Sequence, residues 1–207
     1  VTLDLSNFDT SNVTNMIYMF NNCTNLKSLN LCNFDTSKVT NMAFMFANCE
    51  SLEYLDISNF ETPKLELMTS MFQYCFKLKT LDLSNFNTSK VTEMNRLFQD
   101  CIELIRLDIS NFSIKHLGTI VDMFTNTDKL GLIKCNEETY SKICSLDNKF
   151  VDFIKYNNIF VSEVYLNELQ SEIKPLHITN EGILYREVKE IVNLRYQNND
   201  YVAFQLQ

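Results

Sequence analysis

The feature that most constrains this chain is a 26-residue period that covers more than half of it. Phenylalanine, leucine and cysteine each recur at this spacing, and the columns do not slip by a residue. The columns are Phe8, Phe34, Phe60, Phe86 and Phe112; Leu3, Leu29, Leu55, Leu81 and Leu107; and Cys23, Cys49, Cys75 and Cys101, with Thr127 in fifth place. Such a period is typical of a solenoid, in which one supersecondary unit stacks on copies of itself.

Each unit predicts one short strand followed by one short helix. In the second unit, Leu29-Asn30-Leu31 alternates apolar and polar residues, as a strand does. Apolar residues then recur from Val39 to Cys49 at the spacing of one helical face. In the third unit, Thr62-Pro63 is typical of an N-cap and a first helical residue, and Thr10, Thr36 and Thr88 take the same place. The predicted fold class is an α/β leucine-rich-repeat solenoid, with parallel strands on a concave wall and helices on the convex wall.

The columns predict three parts of the chain. Residues 1–130 form a solenoid of five 26-residue units, and residues 131–157 form a helical C-terminal cap. We expect cap helices from Glu137 to Cys144 and from Lys149 to Tyr156, with Phe150, Phe153 and Ile154 facing inward. Residues 158–207 are rich in Val, Ile, Leu and Tyr and predict a small α+β or β module with at least one hairpin, of unknown role. Because Val1 to Leu5 matches Lys27 to Leu31, we expect this chain to be a fragment of a longer array.

Charge and composition exclude several classes of function. The chain has 18 Lys+Arg against 26 Asp+Glu, a net charge of −8, which argues against a nucleic-acid partner. No apolar run has the length of a membrane helix, so we expect no membrane insertion in this segment. His116 and His177 lie far apart, and no catalytic or phosphate-binding motif occurs. We therefore predict a protein that is not an enzyme and has no catalytic residues, metal or cofactor.

The cysteines favour burial over cross-linking. Side chains in one column stand parallel in neighbouring units, which is poor geometry for a disulfide. We interpret the four column cysteines and the phenylalanine column as an internal structural spine. Cys135 and Cys144 flank the end of the array, and the sequence leaves their pairing open.

Candidate binding residues lie on the outward side of the predicted strands. They form an acidic column and a flanking column: Asp4, Asn30, Asp56, Asp82 and Asp108; and Tyr54, Thr80 and Arg106. The pattern favours a solvated face retained by duplication over a functional surface. The functional alternatives are a docking surface for a basic or hydroxyl-rich partner and a weak cation site. Tyr54 and Arg106 are the predicted anchors, because exposed Tyr and Arg are frequent at binding hot spots. A further column, from Asn7 to Asn111, is predicted to satisfy backbone groups in the turns.

The string Leu-Asp-Leu-Ser-Asn-Phe-Asp-Thr-Ser, followed by Val-Thr-Asn-Met and then Cys, spans Leu3 to Cys23 and recurs closely at Leu29 to Cys49 and Leu81 to Cys101. It resembles the BspA-like leucine-rich-repeat surface proteins over roughly residues 1–130. The resemblance implies a curved solenoid on a microbial cell surface, or secreted, that binds a protein of a host or neighbouring cell as an adhesin. Two alternatives remain open: a targeting domain of a larger enzyme or effector, and a structural spacer.

Overall fold

The computed structural model describes residues 3, 5, 7–118, 120–146 and 150, and the backbone of residues 154–156 and 159–161. Its strands are β1 (Ser28–Asn30), β2 (Tyr54–Asp56), β3 (Thr80–Asp82), β4 (Arg106–Asp108), β5 (Leu132–Lys134), β6 (Ile154–Tyr156) and β7 (Ile159–Val161). Helix α1 (Glu137–Leu146) lies between β5 and β6.

The strands of the repeats run parallel and in register, which confirms the predicted parallel-strand solenoid. Leu29 pairs with Leu55, and Leu81 pairs with Leu107, so the leucine columns are also the columns of the sheet. Strand β5 pairs with β4 in the same register, with Ile133 opposite Leu107. The parallel ladder thus continues past residue 130, where the sequence placed the end of the array.

The strand ladder has two parts, but the stack is continuous. One sheet contains β1 and β2, and the other has the order β3-β4-β5-β7-β6. On another side of the stack, isolated parallel bridges link Asn15 to Asn41, Asn41 to Leu67 and Leu67 to Glu93. These bridges cross the junction between the second and third units, so backbone hydrogen bonding joins the units there.

The prediction of a helix in each unit is wrong. The segments are runs of turns at residues 17–22, 43–48, 69–74, 95–100 and 121–126. Each run holds two residues with φ between 55° and 61°: Tyr18 and Asn22, Phe44 and Asn48, Ser70 and Tyr74, Arg96 and Asp100, and Asp122 and Asn126. Residues with this left-handed backbone conformation interrupt a right-handed helix. Alternate N–H groups bond across units instead, for example from Met16 to the Asn41 carbonyl and from Phe20 to the Met45 carbonyl, both at 2.9 Å.

The threonines predicted as N-caps have a different role, because there are no helices for them to cap. Thr10, Thr36, Thr62 and Thr88 are buried, and each hydroxyl donates to a backbone carbonyl of the next unit. The Thr88 hydroxyl donates to the Ser113 carbonyl at 3.1 Å and accepts from the Ser113 N–H at 2.7 Å. These buried hydroxyls therefore join neighbouring units.

A stack of phenylalanine rings crosses the core behind the turn runs. Adjacent rings in the column have centroids 5.5 to 6.0 Å apart, within the range of favourable offset stacking. The column comprises Phe20, Phe46, Phe72, Phe98 and Phe124. Phe150 continues the period into the cap and meets Phe124 edge to face at 5.2 Å.

The column that begins at Phe8 is buried from its second member onward. Phe34, Phe60, Phe86 and Phe112 lie in the core, whereas Phe8 is 53% exposed. The expectation of a buried ring is wrong for Phe8, because no described unit covers its outer face.

The column cysteines are small buried residues that also donate hydrogen bonds. The thiols of Cys49, Cys75 and Cys101 donate to backbone carbonyls of the preceding unit at 3.1 to 3.2 Å. Cys23 is partly buried, and all seven cysteines are free thiols, including Cys135 and Cys144.

In the cap, the first predicted helix is present as α1, and the second is contradicted at Ile154–Tyr156, which form a strand. Asn136 caps α1, because its Oδ1 accepts from the Thr139 N–H at 2.9 Å, and its amide donates to the Phe112 carbonyl at 2.8 Å. Strand β6 lies where the second helix was expected, and the pairs β6–β7 and β5–β7 are antiparallel. The reason is tertiary: β5 ends the parallel ladder with unpaired backbone groups, and β7 pairs with them. Phe150 is buried, as expected.

Some predictions for the cap and the C-terminal module lie outside the described residues. They concern Phe153, the side chain of Ile154 and residues 162–207. Strands β6 and β7 lie on either side of the predicted domain boundary at residue 157 and pair with each other.

Candidate binding surface

The strand wall, as we call the outward-facing residues of β1 to β4, contains most of the predicted binding residues. The wall is built from the first and third residue of each strand, because the middle leucine of each strand points into the core. The first residues are Ser28, Tyr54, Thr80 and Arg106, and the third residues are Asn30, Asp56, Asp82 and Asp108. Asp4 lies outside the described residues.

The third residue of each strand is fixed by the turn that follows it. The side-chain Oδ1 of Asp56 accepts from the Ser58 N–H at 3.0 Å, and that of Asp82 accepts from the Ser84 N–H at 2.8 Å. Asn30 makes the same contact with the Cys32 N–H. These Asx turns explain why Asp and Asn recur at this position, independently of any ligand. Asp56 and Asp82 are also exposed, as the binding hypothesis requires.

Asp108 keeps the same strand position and Asx turn but does not belong to the accessible surface, so the expectation of an exposed carboxylate is wrong for it. It is only 2% exposed, and its Oδ2 lies 3.0 Å from the Nζ of Lys134. Lys134 occupies the next position of the same column, on β5. The acidic column therefore ends in a cation, which compensates the charge of the buried carboxylate.

The first residues of the strands differ in accessibility along the wall. Tyr54 is 43% exposed and lies opposite Ser28, which is also exposed. Thr80 and Arg106 are partly buried, and they pair with each other across β3 and β4. Of the two predicted anchors, Tyr54 is the more accessible.

The asparagine column has the role that its position predicted. The amide of Asn85 donates to the carbonyls of Ile57 at 2.9 Å, Ser58 at 3.2 Å and Phe60 at 2.6 Å. Asn59 donates to the carbonyls of Leu31 and Phe34, both at 3.0 Å. Each amide thus satisfies the turn of the preceding unit and fixes the strand wall relative to the core.

Charged groups on the surface also form ion pairs between residues that lie one repeat apart. Lys27 lies 3.5 Å from Glu53, and Lys129 lies 2.8 Å from Glu103. The hydrogen bond from Lys129 lowers the pKa of the Glu103 carboxyl. The Ser11 and Ser37 contacts likewise lower the pKa of Asp9 and Asp35, with a smaller contribution from Lys38 in each case.

The core thiols have no nucleophilic character at neutral pH. Burial raises the pKa of Cys49, Cys101 and Cys135 to about 12, and it raises the pKa of Cys75 well above the ordinary range. A thiol in this state stays protonated, and the thiolate is the reactive form.

Other features of the described residues offer little for chemistry. A groove of about 430 Å³ lies between the fifth unit and α1, lined by residues that include Val121, Met123, Lys142 and Leu146. Among the residues that the structure describes, no cluster of three or more His, Cys, Asp or Glu is placed to hold a metal ion. The described part likewise contains no helix with the length and apolarity that crossing a membrane requires.

Two structural features of the stack are not predicted by the sequence analysis. The buried threonine hydroxyls were interpreted as helix caps, and the column from Phe20 to Phe124 was seen only as part of a helix face. The signal for both was present in the 26-residue step, which places each of these side chains directly beside its counterpart in the next unit.

The fold and its surface define this chain as a repeat solenoid built from parallel strands and turn runs. The chain belongs to the family described as "Mycoplasma protein of unknown function, DUF285", which matches residues 1–81 and 55–162. No curated protein and no solved structure matches the chain.

Proposed function

We propose that this chain is a non-enzymatic protein-binding module that presents its strand wall to a protein partner. In this proposal it forms part of a microbial cell-surface or secreted adhesin, as the resemblance to BspA-like leucine-rich-repeat proteins implies. The family match supports the repeat pattern on which this resemblance depends. The observation that carries the proposal is an exposed tyrosine, Tyr54, on a fixed surface that also bears the exposed carboxylates of Asp56 and Asp82.

The rigidity of the wall favours binding. Hydrogen bonds from the following turn hold both aspartates. The amides of Asn85 and Asn111 donate to the turns that follow Asp56 and Asp82, respectively. A surface that is ordered before binding loses less conformational entropy when the partner docks. Tyrosine supplies a large apolar area with few rotatable bonds, which is the reason for its frequency at hot spots.

The charge of the wall indicates the chemistry of the partner. The chain carries a net charge of −8. Of the two exposed aspartates, Asp56 lies on the same strand as Tyr54, and Asp82 lies one unit away. Complementary charge increases association rates and discriminates between partners. We therefore expect the partner to present lysine or arginine around a recess that accepts an aromatic ring.

The test uses site-specific photocrosslinking with a matched control. A photoreactive phenylalanine analogue replaces Tyr54 in one chain and Ile102 in the other, since Ile102 is 42% exposed in a turn outside the strand wall. Each chain is incubated with surface proteins of candidate host cells. We expect a discrete protein to crosslink from position 54 and not from position 102.

Affinity measurements with the captured protein complete the test. Tyr54→Ala should weaken binding by about 10-fold to 30-fold, as loss of a hot-spot tyrosine does. Ile102→Ala should leave the affinity unchanged. Equal crosslinking from both positions, or an unchanged affinity for Tyr54→Ala, would place the binding surface elsewhere.

A further inference from the structure

A row of basic side chains runs along the stack of a chain whose net charge is −8. One lysine occupies the same place in the 26-residue step of the second, third and fourth units, and the fifth unit has two adjacent bases there. We call these residues the basic row, and all of them are exposed: Lys38, Lys64, Lys90, Lys115 and His116.

Backbone hydrogen bonds hold the members of the basic row side by side. The Glu66 N–H donates to the Thr40 carbonyl at 2.8 Å. In the next two units, the Thr92 N–H donates to the Glu66 carbonyl and the Gly118 N–H donates to the Thr92 carbonyl, both at 3.0 Å. Each of these donors lies two residues after a member of the row. At about 5 Å per step, the row extends over about 15 Å from the second unit to the fifth.

The acidic neighbour of the row is absent from the fourth and fifth units. Residues 33–40 and 85–92 are identical except that Asn87 stands where the second unit has Asp35. Each of these side chains accepts a hydrogen bond from the N–H two residues later, at 2.9 and 3.0 Å, so the turn is the same. In the fifth unit, this position is Ser113. The exchange removes a negative charge beside the row without serving the turn.

No carboxylate of the described residues forms an ion pair with the basic row. The ion pairs of the described surface use other bases: Lys27, Arg96, Lys129 and Lys134. Glu93 follows Lys90 by three residues, but its carboxylate accepts from the Thr69 hydroxyl at 3.4 Å. Like charges side by side in neighbouring units repel each other and destabilise the stack. A bound anion relieves this repulsion.

We propose that the basic row binds a linear anionic polysaccharide that lies along the stack. The lysine ammonium groups contact sulfate or carboxylate groups of the polymer, and their flexible stems adjust to its spacing. Exposed polar side chains beside the row, such as those of Asn87 and Ser89, are available to its sugar hydroxyls. This proposal is independent of the protein partner proposed for the strand wall.

Other linear polymers fit the row less well. A peptide that adds a strand needs an open sheet edge. The backbone beside the row is instead bonded from unit to unit between Thr14 and Gly118. Single-stranded nucleic acid is bound largely by stacking of its bases on aromatic rings. The residues that flank each lysine of the row in sequence include no Phe, Tyr or Trp.

The experiment measures binding of the full chain to heparin, a sulfated polysaccharide, by titration calorimetry at several salt concentrations. The row variant replaces three lysines of the basic row: Lys64→Gln, Lys90→Gln and Lys115→Gln. The control variant replaces three exposed lysines outside the row: Lys27→Gln, Lys77→Gln and Lys129→Gln. Both variants lose the same net charge, so a difference between them reports the position of the lysines.

The parent chain should bind heparin, and the row variant should bind about tenfold or more weakly at low salt. The slope of log affinity against log salt concentration should decrease by about two in the row variant, because each contacting cation displaces roughly one counterion. The control variant should keep the parent affinity within about twofold, since salt screens distant charges. The urea midpoint of the row variant should not fall, because exposed lysines contribute little to stability.

Equal weakening in the two variants would overturn the proposal, because the attraction would then depend on charge alone. So would a parent chain that does not bind heparin at low salt. A DNA oligomer is the comparison polymer. If DNA binds the parent more tightly than heparin and loses affinity in the row variant, the row is a nucleic-acid surface and the assignment to a polysaccharide is wrong.

Discussion

Phe8 and Phe60 occupy the same column and follow an asparagine in the same sequence context, yet the structure predicts very different effects of truncating them. Phe60 is fully buried, and its ring stacks on Phe86 with centroids 6.2 Å apart. Phe8 is 53% exposed. The pair therefore tests whether stacking of units, and not the residue or its local sequence, determines stability.

The magnitudes follow from burial. Phe60→Ala removes a buried ring and leaves a cavity, which costs about 3–5 kcal/mol. Phe8→Ala removes a ring that keeps roughly half its surface in water, so the loss is about 1 kcal/mol. The first value is a large fraction of the roughly 5–15 kcal/mol that stabilises a typical domain.

Urea unfolding followed by far-UV circular dichroism measures both variants against the parent chain. The urea m-values must be compared as well, because repeat arrays can lose cooperativity and unfold in parts. We expect a clearly lower midpoint for Phe60→Ala and a small shift for Phe8→Ala. If the two variants lose the same stability, or if Phe8→Ala loses more, the assignment of a buried column from Phe34 onward is wrong.

Two further predictions concern the polar groups of the stack. Asn85→Ala should destabilise the chain by about 1–3 kcal/mol, because its amide serves turn carbonyls of the preceding unit; exposed Asn25→Ala is the control, and equal urea midpoints would contradict the role of the column. Burial raises the pKa of Cys49 and Cys101 to about 12, and it raises the pKa of Cys75 well above its usual range. The unfolded chain releases these protons at lower pH than the folded chain, so the free energy of unfolding should fall as pH rises above about 9. The expected loss is about 1.4 kcal/mol per thiol for the next pH unit. Urea midpoints near pH 8 and pH 10 measure this slope, and the triple variant Cys49→Ala, Cys75→Ala, Cys101→Ala should lose most of it; an unchanged slope would refute the cause.

The candidate site was predicted in part, and the errors have physical causes. The outward direction of Asp56 and Asp82 follows from strand alternation, which is a local property. The same rule applies to Asp108 but does not predict its burial, because the neighbour that covers it is Lys134, one strand beyond the predicted end of the array. Cap residues depart from the repeat pattern, so their contacts with the last units could not be inferred from the columns.

The sequence by itself determined the stacking of units, the parallel strands and most of the buried columns. The fixed 26-residue step places equivalent residues side by side, and a common strand in every unit leaves parallel pairing as the only regular arrangement. Only the tertiary structure decided that the apolar segments after the strands form turns. Their spacing fits one face of a helix equally well, but alternate N–H groups from Met16 to Asn22 bond to the neighbouring unit, and those of Met19 and Asn21 form turns. The choice depends on hydrogen bonds between residues 25 or more positions apart, which no local pattern encodes.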